Sequence, residues 1–341
     1  MTTGDVWLPL PPAELAPLPA SLTYVHWNGE EEFPADPADC VFYTVPYMKG
    51  PEVAVRPLPH MPRLRVVQTL TAGVDHMLPA VPALPTGALL CNAGPLHNTS
   101  TAELALTLTL SALRGVPKAV RDQSAERWDT RLWTSLADRR VLIVGYGGIG
   151  AAIEERLLPF EPAEVVRVAG RARTSPRGPV HASTDLPALL PGAEVVIVAT
   201  PLTEATRGLV GAKFLAALPD GALLVNVSRG AVVDTEALLA ELESGRLLAA
   251  LDVTDPEPLP AGHPLWQAPG VLITPHVGGP STAFRPRAER LVRAQLERFA
   301  AGETPSTWWP KPNRSQESHQ SHSEMSSLRI VQRVPLIITL G

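Results

Sequence analysis

Three residues in the last third of the chain carry groups able to hold an anion and move a proton. The stretch LLVNVSRG places Arg229 after an apolar run at 222–227, LLAALDVTDPEP places Asp252 at the next strand end and Glu257 in the loop beyond, and VLITPHVGG places His276 behind Thr274 and Pro275. Singly, each has a commoner reading. An arginine after a strand is usually solvated or phosphate-facing, a glutamate in an Asp-Pro-Glu-Pro loop is ordinarily a turn carboxylate, and a lone histidine is more often structural. Their recurrence at consecutive strand ends raises all three. Together they suffice to reduce a 2-keto acid. The planar fork of Arg229 would hold the carboxylate and polarise the keto oxygen. His276 would give a proton to the forming alkoxide, or take one in the reverse direction. Glu257 would bond the other imidazole nitrogen and fix the tautomer.

A hydride source is implied upstream. Residues 141–150 read VLIVGYGGIG, in which Gly145, Gly147 and Gly150 follow an apolar run and open a helix. The first glycine permits a tight turn, the second lets a pyrophosphate approach the backbone, and the third lets helix and strand pack closely. A bare strand–helix turn gives the same three letters, but the flanking elements and a second strand at 165–169 favour a dinucleotide site. An NAD-type site needs an acid at the end of that second strand. Here it ends in Gly170, Arg171, Ala172, Arg173 and Thr174, so NADP(H) is favoured and NAD(H) is possible. The plainer alternative is a solvated arginine loop that also holds Arg177.

The elements that must position these groups follow from the apolar pattern. A chain of 341 residues can build two full cores. Its 45% apolar and 18% charged residues exclude a disordered or fibrous chain. A net charge of -5 without a basic stripe argues against a nucleic-acid partner. Two cysteines, Cys40 and Cys91, exclude a disulfide framework or thiolate metal site. His319 and His322 in a Ser-rich tail read as solvated, so no metal is expected. Neither a signal peptide nor a spanning apolar run is visible, which predicts a cytoplasmic protein with no membrane partner.

Strands are expected at 5–8, 22–26, 40–44, 65–69 and 88–91, with a helical piece at 51–57, as a small open α/β sheet. Helices at 101–114 and 116–127 follow. Strands at 140–144, 165–169, 195–200, 222–227, 247–253 and 271–274 then alternate with helices at 149–158, 213–217 and 235–244. Continuous apolar strands between helices predict a doubly wound parallel sheet. A helix at 285–301 can return to the first sheet, no pattern is seen after Gly302, and 315–327 reads as disordered.

The motifs TAGVDHM (71–77), TAELAL (101–106), VGYGGIG (144–150), TPLTEATRGL (200–209), VNVSRGAVVD (225–234), LDVTDPEPLP (251–260) and TPHVGG (274–279) resemble the D-2-hydroxyacid dehydrogenase family. That family includes glyoxylate and hydroxypyruvate reductases, phosphoglycerate dehydrogenases and formate dehydrogenases. The resemblance implies a Rossmann-type domain at 95–280 inserted into a smaller flavodoxin-like substrate domain made of 1–94 and 281–310. The region after Gly302 departs from the family's usual ending, and 311–341 is expected from its composition to be a disordered tail. It implies that Arg229, Glu257 and His276 are catalytic and that Ala72, Gly73 and Val74 bind the substrate through backbone amides. It also implies that Thr101, Gly148, Ile149, Thr200, Pro201, Val227, Asp252 and Gly278 join the cofactor site, with Asp252 on the nicotinamide carboxamide. A homodimer built on the cofactor domain is the family habit, and the apolar helix at 101–114 is compatible with it. Glu257 departs from formate dehydrogenases, which carry glutamine there. The expected activity is interconversion of a small 2-keto acid with its D-2-hydroxy acid. Oxidation of 3-phosphoglycerate is the enzymatic alternative, and a dinucleotide-sensing, corepressor-like interaction protein is the other.

Overall fold

The computed structural model of the protein describes residues 4–309. Five short apolar runs form the first sheet: β1 (Asp5–Leu8), β2 (Thr23–His26), β3 (Cys40–Thr44), β4 (Val66–Gln68) and β5 (Leu89–Cys91), all parallel in the order β2-β1-β3-β4-β5. This is the flavodoxin-like order. The connecting helices α1 (Pro12–Leu15) and α2 (Pro51–Val55) each begin on proline, whose fixed φ suits a first turn.

After α3 (Asn98–Leu113) and α4 (Val116–Ser124) the chain builds a larger sheet. Its elements are β6 (Arg140–Val144), α5 (Gly148–Leu157), β7 (Glu164–Ala169), β8 (Arg173–Ser175), β9 (Gly178–Ala182), α6 (Leu186–Leu189), β10 (Val195–Val198), α7 (Ala212–Ala216), β11 (Leu223–Asn226), α8 (Thr235–Glu243), β12 (Leu248–Leu251) and β13 (Val271–Ile273). The order is β8-β9-β7-β6-β10-β11-β12-β13, parallel except for β8, which pairs antiparallel with β9. Strand order reverses between β6 and β10, the switch point at which such sheets bind ligands. Alternate residues explain the unbroken apolar runs. Val141 and Ile143 face α3 and α5, whereas Leu142 and Val144 face α6, α7 and α8. The central strands β6, β10 and β11 are therefore buried on both sides.

The helix α9 (Phe284–Ala300) then crosses back. Its stripe of Ala288, Val292, Leu296 and Phe299 packs on Val6, Phe42 and Val66 of the first sheet. Gln295, on the same stripe and fully buried, donates to Gln68 Oε1 (2.8 Å) and Thr307 Oγ1 (3.0 Å) and accepts from the Ser306 amide and hydroxyl. These bonds seat β14 (Trp308–Trp309) antiparallel against β5.

Three sequence expectations need correction. The patternless stretch after Gly302 contains β14, whose two residues are too few to show a period and whose partners lie far away in sequence. The loop read at 171–174 contains the start of β8. The helix expected from Thr101 begins at Asn98, and most of its apolar residues are buried against α5 and the second sheet, with Leu104 and Leu110 only partly buried. Four exposed large apolar side chains, Val116, Val120, Trp128 and Leu132, cluster on α4 and the loop beyond it. The expected disordered tail, with His319 and His322, lies outside the described residues. Among those described, no helix is long and apolar enough to cross a membrane, and no cluster of His, Cys, Asp or Glu is arranged to hold a metal ion.

Candidate active site

The glycine turn sits at the switch point, and each glycine there has a separate reason. Gly145 has φ +104°, and a Cβ on it would overlap the backbone at Ala199 and Thr200 where β10 ends. A Cβ on Gly150 would overlap the Gly145 carbonyl, so the helix could not lie this close to its strand. A Cβ on Gly147 would meet nothing within 4 Å, and no side chain caps α5, which begins at Gly148. Open space above uncapped amides at a helix start is what an anionic pyrophosphate requires. Below the turn, the buried carboxylate of Glu154 accepts from the Tyr146 hydroxyl and the Arg167 fork.

The residues expected around the rest of the cofactor gather at the same strand ends. Thr200 and Pro201 follow β10, and Val227 follows β11 and is buried. Ile149 packs into the core from the first turn of α5. The Thr101 hydroxyl bonds the Gly278 carbonyl at 3.2 Å. Gly170 and Arg171 are exposed beyond β7, and a Cβ on Gly170 would touch nothing within 4 Å. Arg173 is exposed too, but one of its amino groups bonds the Tyr146 carbonyl, so it also braces the glycine turn.

Arg229 is delivered by a turn tied from within. Asn226 is completely buried at the end of β11. Its Oδ1 accepts from the Ser228 amide (3.0 Å) and hydroxyl (3.1 Å), while its Nδ2 donates to the Arg229 carbonyl (3.0 Å). A Cβ on Gly230 would overlap the Thr254 carbonyl, so this turn lies against the loop that carries Glu257. The guanidinium forks onto Asp75, with Nε 3.3 Å from Oδ2 and Nη2 3.1 Å from Oδ1. Directly beneath it is Gly73, where a Cβ would overlap Nη2 and come within 2.6 Å of Asp75 Oδ1. The structure thus brings Arg229 together with the loop of Ala72, Gly73 and Val74. Burial would raise the Asp75 carboxyl, yet the Arg229 charge and hydrogen bonds hold it below its ordinary value. Sequence reading missed Asp75, although it lies inside a motif already singled out; its partner is 154 positions away.

His276 sits on the neighbouring loop with Nδ1 2.5 Å from Glu257 Oε1. That hydrogen bond, against partial burial, holds the Glu257 carboxyl below its ordinary value, with smaller help from the charges of His276 and Arg229. His276 has φ +54°, a left-handed backbone that costs a non-glycine residue about 1–3 kcal/mol and persists only where its surroundings enforce it. Asp252 does the enforcing. Its carboxylate, 2% exposed, accepts from the Thr274 hydroxyl (2.6 Å) and the amides of Val277 and Gly278 (2.9 Å each), while its carbonyl accepts from the His276 amide (2.8 Å). The expectation placed Asp252 on the cofactor. Here its carboxylate also holds the loop that carries His276.

A third cluster, unforeseen, stands where the chain crosses between sheets. His97 is buried, with Nε2 2.7 Å from the Leu70 carbonyl. Its ring stacks with Tyr47 and Phe284, whose own centroids are 4.0 Å apart. Burial lowers the imidazole's basicity. A Cβ on Gly279 would come within 2.8 Å of the Tyr47 hydroxyl.

Residues 106–278 match the family model described as D-isomer specific 2-hydroxyacid dehydrogenase, NAD binding domain. The human glyoxylate reductase/hydroxypyruvate reductase is 33% identical over 248 residues, covering 70% of this chain and 75% of that protein. Among solved structures, a D-isomer specific 2-hydroxyacid dehydrogenase from Xanthobacter autotrophicus Py2, in complex with NADPH and MES, is 30% identical with a TM-score of 0.74. It covers 90% of this chain and 98% of its own. An NADPH-dependent glyoxylate/hydroxypyruvate reductase from Sinorhizobium meliloti, in complex with NADP and malonate, is 27% identical with a TM-score of 0.73, covering 90% and 96%.

Proposed function

The chain belongs to the D-2-hydroxyacid dehydrogenase family, NAD(P)-dependent oxidoreductases acting on CH–OH donors, and from that membership and the strand-end geometry we propose that it reduces a small 2-keto acid such as glyoxylate or hydroxypyruvate. A nicotinamide dinucleotide bound at the glycine turn supplies the hydride. The substrate carboxylate rests on the amides of Ala72, Gly73 and Val74 and on the Arg229 fork, which Asp75 orients. His276 delivers a proton from Nε2 to the keto oxygen, while Glu257 holds Nδ1 and therefore the tautomer. The observation that carries this reading is the 2.5 Å contact between Glu257 and His276, which engages one ring nitrogen and leaves the other for substrate. Asp252 and Asn226 act as positioning residues behind this set.

The preferred cofactor is NADPH. Arg171 and Arg173 follow Gly170 where an NAD-type site would carry an acid, and the solved relatives above bind NADPH or NADP. The proposed division is a substrate domain of 1–94 and 281–310 around a cofactor domain of 95–280. A second copy of the chain covers the exposed Val120, Trp128 and Leu132 to form a homodimer. Oxidation of 3-phosphoglycerate fits less well, because its phosphate would want more cations than residues 1–94 supply.

Steady-state kinetics with both cofactors on glyoxylate, hydroxypyruvate and, in the oxidative direction, 3-phosphoglycerate test the reading. The highest kcat/KM is expected for glyoxylate or hydroxypyruvate with NADPH. Best turnover of 3-phosphoglycerate, or none of any substrate, would overturn it.

A further inference from the structure

A sizeable cavity lies outside the cleft of Arg229, Glu257 and His276. It has a volume of about 810 Å³ and runs along the flank of α5, between the crossing at 93–99, the β8–β9 turn and α9. That volume falls within the roughly 300–1,000 Å³ typical of small-molecule sites. Its wall holds four arginines, Arg156, Arg177, Arg287 and Arg290, against one acid, Glu155. The imbalance is local, since the chain as a whole carries a net charge of -5.

The arginines come from both sheets' layers. Arg287 and Arg290 lie one turn apart on α9, which packs on the first sheet. Arg177 and Arg156 belong to the turn and helix of the second. The β8–β9 turn is fixed, because the Ser175 hydroxyl donates to the Gly178 carbonyl (2.8 Å) and accepts from the Arg177 amide (3.3 Å). Among the described residues, no carboxylate lies in ion-pair range of Arg177, Arg287 or Arg290. The nearest acid on α9, Glu289, is taken by Arg285 at 3.1 Å, and Glu155 approaches only Arg156, at 3.9 Å. Like charges gathered across a junction repel unless an anion sits between them.

We propose that this cavity binds a small polyanion, a phosphorylated or polycarboxylate metabolite, which bridges α9 to the β8–β9 turn. The site is separate from the cofactor's. Of the residues assigned to the dinucleotide it shares only Gly148, and the glycine turn's open face at Gly147 is not part of its wall. The proposal does not depend on which keto acid is reduced. A bound anion would tie together two layers that must move if the cleft closes by hinge motion, so the site is suited to an effector.

The test is isothermal titration of the full-length, cofactor-saturated protein at fixed ionic strength, with pyrophosphate in one arm and citrate in the other. Saturable binding of one anion per chain is expected, and the tighter arm identifies the source chemistry. Arg287→Ala/Arg290→Ala and, separately, Arg177→Ala should each weaken it at least about tenfold. Thermal melting and kcat without added anion should stay at wild-type values, showing that the variants fold. Three outcomes would overturn the proposal: no saturable binding of either anion, binding lost once the cofactor is present, or binding indifferent to Arg177→Ala, which removes the bridge.

Discussion

Two glycine-bearing turns at strand ends look alike in sequence and exist for different reasons. At Gly145 the obstacle to a side chain is backbone: the positive φ of the residue itself and the chain at Ala199 and Thr200. At Gly73 the backbone is ordinary, and the obstacle is the tip of a flexible side chain, Arg229, together with Asp75. In the proposed reading the first glycine serves the fold and the cofactor at once. The second leaves room for Arg229 beside the amides proposed to hold the substrate. A glycine required by backbone is therefore expected to be indispensable to folding, and one required by a side chain to be dispensable for folding but not for substrate.

Substitution at each position sharpens that contrast. Gly145→Ala must adopt a strained φ and displace a neighbouring strand end, at a cost above about 3 kcal/mol. It should depress the melting temperature by many degrees and abolish cofactor binding, as read by thermal unfolding and by quenching of protein fluorescence on NADPH titration. Gly73→Ala should melt within about 2 °C of wild type and bind cofactor normally, because only a side-chain tip has to move. It should still lose about a hundredfold in kcat/KM for the keto acid, carried largely by KM. A Gly73→Ala protein that unfolds early, or one that keeps its KM, would erase the distinction.

The smallest effect concerns acid stability. The carboxyl of Glu257 is held down by the His276 hydrogen bond, and that of Asp75 by Arg229 against its burial. A carboxylate with a lowered value in the folded state contributes stability that is complete above its unfolded value and is lost as pH falls through the folded one. The ordinary values are 4.5 for Glu257 and 3.8 for Asp75, so both contributions are complete at neutral pH and decline in acid below them. Melting curves of wild type and Glu257→Gln should differ at pH 7 and converge in acid, as pH falls below the ordinary carboxyl value of 4.5 and through the lowered folded one. A gap that widens in acid would reverse the assigned sign.

The same contrast explains what the sequence shows. The runs at 40–44 and 140–144 coincide with β3 and β6 because continuous apolar strands announce themselves locally. Gly145, Gly147 and Gly150 are legible for the same reason, as are three polar residues that each follow such a run. What sequence does not display are partnerships over long separations. Asp75 meets Arg229, Gln295 meets Thr307 and Gln68, and Arg173 reaches back to Tyr146, none of them within one period of strand or helix. Asp252 was noticed, but its work of holding the His276 loop depends on Thr274, Val277 and Gly278 folding back over it.

The proton-transfer role of His276 is the centre of the proposed chemistry, and one measurement addresses it. Turnover of the best keto acid by His276→Gln should be compared with wild type at saturating cofactor, alongside the cofactor dissociation constant. The expected result is a fall in kcat of roughly 10²–10⁴ with the dissociation constant unchanged within about twofold. Near-normal turnover by His276→Gln would contradict the assignment outright.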